Sequence, residues 1–368
     1  MKCEIQFEKL KQAVLLAERV AGRHLTLPVL SCLLVDIKKG VAFIRATNLD
    51  VGIEVELPVK SDGEAVFAVP AHTLSSFLSQ VGNKEQIVKL EANSGNLNIS
   101  LSKSKGLIKN LPHEDFPAIP VVSDGKTSEV PSEMLIKGFR SVWYSASISN
   151  IKPELASIYI YRDNERVVFV ATDSFRLAEK RIILPKGANI EDMLIPLKNS
   201  VEIVRMLEVA GPTVIVRSNK NLASFEAKGL RVTSRIIDGV FPDYRQIIPD
   251  GCTTEAIMLK HDLTNTLKVS TVFSDAFNQI RVSVDPKKKV FQVDTKNSDV
   301  GENQSFLDAA ITGEPVEINF NCKYISDSLQ AIDADSLSLQ FNGKNKPLVI
   351  RPVSGDQTFL YLVMPMNR

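Results

Sequence analysis

The chain writes one pattern of elements three times, with a period of about 125 residues, which is the size of a whole domain and far longer than a solenoid repeat. Each copy opens with a short strand and an amphipathic helix, expected over residues 7–20, 134–144 and 261–272. Strands joined at a polar turn follow, 33–37 with 41–47, 158–162 with 166–172, and 280–284 with 290–295. A second helix is entered through Val69-Pro70-Ala71-His72, Ile195-Pro196-Leu197-Lys198 and Phe320-Asn321-Cys322-Lys323, and two or three alternating strands close each copy. A chain that triplicates a whole domain and repeats no catalytic group builds a shape.

Composition suits three separate cores. Hydrophobic residues make up 44% and charged residues 24%, so each third can bury its own interior. The formal net charge is +1, so the whole-molecule field favours neither nucleic acid nor membrane, and any affinity for DNA must come from a local arrangement of charge. Cys3, Cys32, Cys252 and Cys322 lie far apart without metal-ligand spacing; they read as small apolar residues in a reducing compartment. The first residues carry charge where a signal peptide is apolar, and no apolar run is long enough to span a bilayer. The reading is a cytoplasmic protein with no membrane partner, no metal and no cofactor.

Two proline-punctuated segments join the copies: Phe116-Pro117-Ala118-Ile119-Pro120 leading to Gly125, and Phe241-Pro242-Asp243-Tyr244 leading to Ile248-Pro249-Asp250-Gly251. Proline disfavours helix for itself and the residue before it, so both read as extended connectors. They divide the chain into domains at 1–122, 128–249 and 251–368. Paired helices with alternating strands such as 97–101 and 280–284 give the α+β class, with antiparallel sheets buried on one face.

The second helix of each copy carries a basic or titratable residue at one repeat position: His72, Lys198 and Lys323. A cation near a helix N-terminus opposes the macrodipole and costs up to about 1 kcal/mol. Three such positions in register point to a role outside folding, and phosphate is the natural ligand. The first helices add Lys9, Lys11, Arg19, Lys137, Arg140 and Lys268. No zinc-finger spacing or aromatic RNA-binding motif accompanies them, and the single tryptophan, Trp143, reads as core. Charge without base readout suits a protein that contacts the DNA backbone and does not choose sequence. The apolar end of the chain, Phe359-Leu360-Tyr361-Leu362-Val363-Met364-Pro365-Met366, reads as a final core strand followed by methionines at an adaptable surface cleft.

Taken in order, Leu27-Pro28-Val29-Leu30, 171–178 (Ala-Thr-Asp-Ser-Phe-Arg-Leu-Ala), Phe241-Pro242-Asp243-Tyr244-Arg245, Phe320-Asn321 with Tyr324, and Tyr361-Leu362-Val363-Met364-Pro365-Met366 resemble the bacterial DNA polymerase III β subunit family, the sliding clamps of replication, over the whole length. The resemblance implies three clamp-type domains, each of two helices packed on antiparallel sheets, with two chains closing head to tail into a six-domain ring around duplex DNA. Lys105, Leu107, Val272 and Phe273 are then expected at the dimer interface. A partner-peptide pocket is expected from Leu155, from Thr172, Ser174, Phe175, Arg176 and Leu177, from Pro242 and Ile247, from Asn321 and Tyr324, and from Pro347, Leu362, Met364, Pro365 and Met366. Thr172 and Arg176 are expected to face the peptide, and Asp173 to hold the turn. Arg23, His24, His72, Asn150, Lys198 and Lys323 are expected to face DNA. The implied partners are the DNA polymerase III alpha subunit, an ATP-driven clamp loader and other clamp-binding replication and repair proteins. The chain departs from the family pattern at Gly106, where a large apolar residue is common, at Ser174-Phe175 in place of Gly-His, at Gln246 in place of a basic residue, and at Pro153-Glu154 in place of aromatics.

Two other readings compete. Asp173 with Arg176, or His113-Glu114-Asp115, could be drawn as acid–base groups, but no phosphate loop or metal-ligand spacing supports an enzyme. A peptide-binding scaffold that never encircles DNA is the nearer alternative, and the basic positions on the second helices argue against it.

Overall fold

The computed structural model describes residues 1–22, 26–81, 86–93, 95–185 and 187–366. The first copy runs β1 (Lys2–Gln6), α1 (Phe7–Val20), β2 (Cys32–Lys38), β3 (Val41–Thr47), β4 (Val51–Pro58), β5 (Lys60–Ser61), β6 (Ala65–Pro70), α2 (Ala71–Gln80), β7 (Ile87–Asn93), β8 (Asn96–Ser100) and β9 (Lys105–Lys109). The second runs β10 (Lys126–Pro131), α3 (Ser132–Val142), β11 (Ser157–Asp163), β12 (Arg166–Thr172), β13 (Arg176–Ile183), β14 (Met193–Pro196), α4 (Leu197–Val209), β15 (Thr213–Ser218), β16 (Leu222–Ala227) and β17 (Leu230–Arg235). The third runs β18 (Thr254–Leu259), α5 (Lys260–Val272), β19 (Gln279–Asp285), β20 (Val290–Asn297), β21 (Gly301–Leu307), β22 (Ala310–Gly313), β23 (Val316–Asn321), α6 (Cys322–Leu329), β24 (Ser336–Phe341), β25 (Leu348–Pro352) and β26 (Phe359–Val363).

Local sequence explains these elements. In α1 the buried residues are Phe7, Leu10, Ala13, Val14, Ala17 and Val20, the three-and-four spacing of a single apolar face. Strands alternate, as in β1, where Cys3 and Ile5 point inward. Asn321 caps α6, its Oδ1 accepting the Tyr324 N–H at 3.1 Å. Gly138, inside α3, lets the helix close on the sheet: a Cβ there would lie 2.4 Å from the Phe169 ring. Phe169 stacks edge-on against Phe139 at 5.3 Å, and burying such a side chain contributes about 2–3 kcal/mol.

Each copy splits its strands between two sheets, and one sheet of each neighbour is shared. The orders are β5-β1-β7-β8-β9; β10-β15-β16-β17-β4-β3-β2-β6; β14-β11-β12-β13-β26-β25-β24-β18-β22; and β21-β20-β19-β23. The joints are the antiparallel pairs β17–β4 and β26–β13, each the last strand of one copy against the third-from-hairpin strand of the copy before it. The same two strand positions, β9 and β21, are left as open edges.

Because ladders run through the joints, compactness does not follow the copies. One compact unit holds residues 1–136, 185–191 and 198–236, and the other 137–184, 192–197 and 237–368. Each unit is organised around a shared sheet. The connectors also differ from expectation: after Pro242 the chain turns into a 3-10 helix, Tyr244–Ile247, with Phe241 and Tyr244 buried. Proline disfavours helix for the residue before it and leaves the residues after it free to coil. Trp143 is half-buried, in the 3-10 turn Trp143–Ser145 that extends α3.

Candidate functional site

The turn between β12 and β13 is built by its own side chains. Asp173 Oδ1 accepts the backbone N–H groups of Phe175 and Arg176, both at 3.0 Å, and its Oδ2 takes Arg176 Nε at 3.0 Å. The Thr172 hydroxyl donates to the Arg176 carbonyl at 2.7 Å and accepts the Ser174 N–H at 3.2 Å. Ser174 sits at φ 77°, a left-handed position. Arg176 completes the frame, its Nη1 2.7 Å from Asp327 Oδ2 and its guanidinium 4.3 Å over the Tyr324 ring. Asp173 holds the turn as expected of it. The polar groups of Thr172 and Arg176 bind within the turn and, for Arg176, to α6.

The end of the chain docks beside this turn. Leu177 pairs with Leu362 in the β13–β26 ladder, Met364 N donates to the Phe175 carbonyl at 2.8 Å, and Met366 N donates to the Asn319 carbonyl at 2.8 Å. The Tyr361 hydroxyl donates to the Tyr324 carbonyl at 2.7 Å, tying the last strand to α6. Beneath lies an apolar cluster of Val168, Val170, Leu177, Leu194, Phe241, Tyr244, Val349, Leu360 and Leu362, with Met364 packed on it. Tyr244 also anchors the connector. Its hydroxyl donates to buried Glu179 and sits 2.7 Å from the Tyr161 hydroxyl, which accepts from Arg245 Nη2 at 2.8 Å. Burial, then the Glu179 carboxylate, pushes the Tyr244 phenol far up, so it stays a neutral donor.

The expected wall residues divide by exposure. Ser174, Phe175, Pro242 and Ile247 are exposed; Arg176, Asn321, Tyr324, Met364, Pro365 and Met366 are half-buried. Leu155, Thr172, Leu177, Pro347 and Leu362 are buried. Phe175, at 62% exposed, is the most open apolar side chain among them. Sequence reasoning missed Asp327, which fixes Arg176. Its only signal is a carboxylate six residues past the Asn321 cap, too common to read.

His72, Lys198 and Lys323 are each the second residue of their helix, and all three are exposed. His72 Nδ1 lies 3.0 Å from Glu18 Oε1. Asn150 is exposed in a turn flanked by Ile148 and Ile151, 92% and 90% exposed. Arg23 and His24 lie outside the described residues. Of the first-helix cations, Lys137 is bound to Asp356 at 2.7 Å and Asp333 at 3.8 Å, a structural role that the sequence did not disclose. On the open edges, Lys105 and Leu107 of β9 are exposed, as is Val272 at the end of α5, while Phe273 is half-buried.

Models of the DNA polymerase III beta subunit match the chain in three blocks: the N-terminal domain over residues 1–120, the central domain over 129–243 and the C-terminal domain over 245–367. The chain is similar to the beta sliding clamp of Caulobacter vibrioides, at 28% identity with 100% of each chain covered. It is similar to that of Synechococcus elongatus at 26% identity, covering 100% of this chain and 99% of the relative. The crystal structure of the beta subunit from Thermotoga maritima matches it with a TM-score of 0.93 at 25% identity, covering 100% of this chain and 99% of that one.

Proposed function

The chain belongs to the DNA polymerase III beta subunit family, and on that premise we propose that it works as a ring of two head-to-tail copies that encircles duplex DNA, slides along it and tethers the replicative polymerase. The family's members are non-catalytic processivity subunits. The single observation that carries the ring is the sheet pattern: two joints are closed within the chain by last strand against third-from-hairpin strand, and the one remaining pair, β9 and β21, is left open. Open edges invite pairing, and pairing β9 of each copy with β21 of the other removes both edges by a closed two-fold operation.

Retention is then topological. A closed ring needs no tight contact, and weak phosphate contacts from Lys198, Lys323, His72, Asn150, Arg23 and His24 permit sliding because salt screens them. Partners dock at the turn 172–176 and the chain end. Phe175, Met364 and Met366 supply an adaptable apolar surface, and the Asp173–Arg176–Asp327 frame keeps it in shape. Phe175, exposed where Gly-His is common in the family, makes this rim more apolar. The polymerase alpha subunit held there gains effective concentration at the primer end. A closed ring cannot thread a circle unaided, so an ATP-driven loader opens it, and the setting is the cytoplasm.

Primer extension on a singly primed circular template, with loader and polymerase, tests the proposal. Long products that depend on this chain are expected. Peptide binding without any gain in product length would leave a scaffold that does not encircle DNA.

A further inference from the structure

The closed joints fix a register that the open edges can be held to. The residue four before each first helix is Cys3, Ser128 or Ala256, and its ladder leads through Leu90 and Ile99 to Gly106, through Val216 and Phe225 to Val232, and through Leu339 and Ile350 to Tyr361. The residue five after the start of β3, β12 or β20 is Ala46, Ala171 or Thr295, paired with Ile53, Ala178 and Asn303. Val232 pairs with Ile53, and Tyr361 with Ala178. By the same rule Gly106 of one copy pairs with Asn303 of the next, which sets Ile108 opposite Gly301.

Both edge strands thus carry a glycine on the helix-facing side, and each glycine lies under a phenylalanine of its own copy. A Cβ on Gly106 would come 3.1 Å from the Phe77 ring, and one on Gly301 would come 3.9 Å from the Phe273 ring. Phe77 is the seventh residue of α2; the seventh residues of α4 and α6, Ile203 and Ser328, are fully buried at the closed joints, whereas Phe77 is only half-buried. At the first closed joint Arg19 and Glu202 lie within electrostatic range of each other, as do Tyr144 and Asp327 at the second. These are in each case position thirteen of the first-helix segment against position six of the second helix. Carried to the open joint, that pairing is Val272 against Ser76, and Phe273 and Phe77, the residues next to these, lie over the two edge glycines of the same joint.

We propose that Phe77 of one protomer packs on Phe273 of the next, each ring covering its own edge glycine, and that this aromatic contact seals the joint in place of a side chain at position 106. The inference rests on the ring reading above and adds the contact that holds it. Aromatic cover of an edge glycine restores the packing a bare backbone lacks, and the two-fold axis places the contact in the ring twice.

Sedimentation velocity over a concentration series tests it. Phe77→Ala weakens dimerisation by about a hundredfold or more, since two contacts are lost at once. Gly106→Leu also weakens it by colliding with the ring, and the double variant F77A/G106L recovers much of the loss. In a Cys252→Ser background, S76C/V272C forms an intermolecular disulfide on mild oxidation, a readout that does not depend on the fold surviving Phe77→Ala. A wild-type chain that stays monomeric overturns the ring itself. A stable wild-type dimer that is indifferent to Phe77→Ala, or that fails to cross-link through S76C/V272C, leaves the ring standing and overturns this contact.

Discussion

The backbone N–H of Met364 donates to the carbonyl of Phe175 at 2.8 Å, one rung past the last pair of the β13–β26 ladder. Arg235 N makes the matching bond to the Asp50 carbonyl at 2.8 Å at the other closed joint. There the chain runs on into a connector; past the Met364 bond come Pro365 and Met366, both half-buried. The repeat therefore builds the same ledge twice, and one of them stands beside the exposed Phe175.

Ending the chain at Val363 removes Met364, Pro365, Met366, Asn367 and Arg368 and leaves the β13–β26 ladder intact. Affinity for a labelled linear peptide from a clamp-binding partner is expected to fall at least about tenfold by fluorescence anisotropy, with the dimer mass unchanged. Unchanged affinity would move the docking surface away from the tail.

Asp173→Ala removes the acceptor of two backbone N–H groups and the partner of Arg176 Nε. A loss of about 1–3 kcal/mol in unfolding free energy is expected, because the freed Arg176 groups are half-buried. The same variant should weaken peptide binding by loosening Phe175. Stability equal to wild type in denaturant titration would show that the turn does not depend on this carboxylate.

The Lys180 ammonium, 3% exposed, is bound by Asp356, which also takes Lys137 at 2.7 Å. Burial pushes the Asp356 carboxyl up, but hydrogen bonds from Lys137, Lys180 and Thr358 outweigh it and hold the group well below the usual carboxylate range. A carboxyl depressed in the folded state contributes stability that is present above its unfolded value near 3.8 and is lost as pH falls toward the folded value. Asp356→Asn should cost about 3 kcal/mol at pH 7 by leaving Lys180 buried without its counter-charge. The gap from wild type in the unfolding midpoint should narrow as the buffer is taken below the carboxylate range. A gap that is the same at both ends would refute the assignment.

Charge reversal at Lys198 and Lys323 puts a carboxylate at the second residue of α4 and α6, where the helix dipole favours it by a few tenths of a kcal/mol. Folding and dimer mass are expected to hold while the salt-dependence of DNA association becomes shallower, each lost phosphate contact lowering the slope by about 0.9. A slope identical to wild type would remove these residues from the DNA-facing set.

Much of the fold could be read from the chain because its signals are local. The helix at residues 7–20 and the strands at 41–47 and 166–172 coincide with observed elements, since apolar spacing and polar turns act within a few residues. Joint registers such as Arg231 opposite Glu54, 177 residues apart, leave no local trace, which is why the compact units cut across the copies. At the site, the residue types that matter were legible but not their roles. Arg176 is bound to Asp173 and, 151 residues away, to Asp327, and Lys137 belongs to an ion-pair cluster with Asp356. In each case a distant partner sets the role.

The measurement closest to the central claim is retention on nicked circular DNA after loading with a compatible loader and ATP, before and after one cut that linearises the circle. The account predicts that the chain stays on the circle and runs off the linear form. Equal retention on both would mean that contacts, and not a closed ring, hold it to DNA.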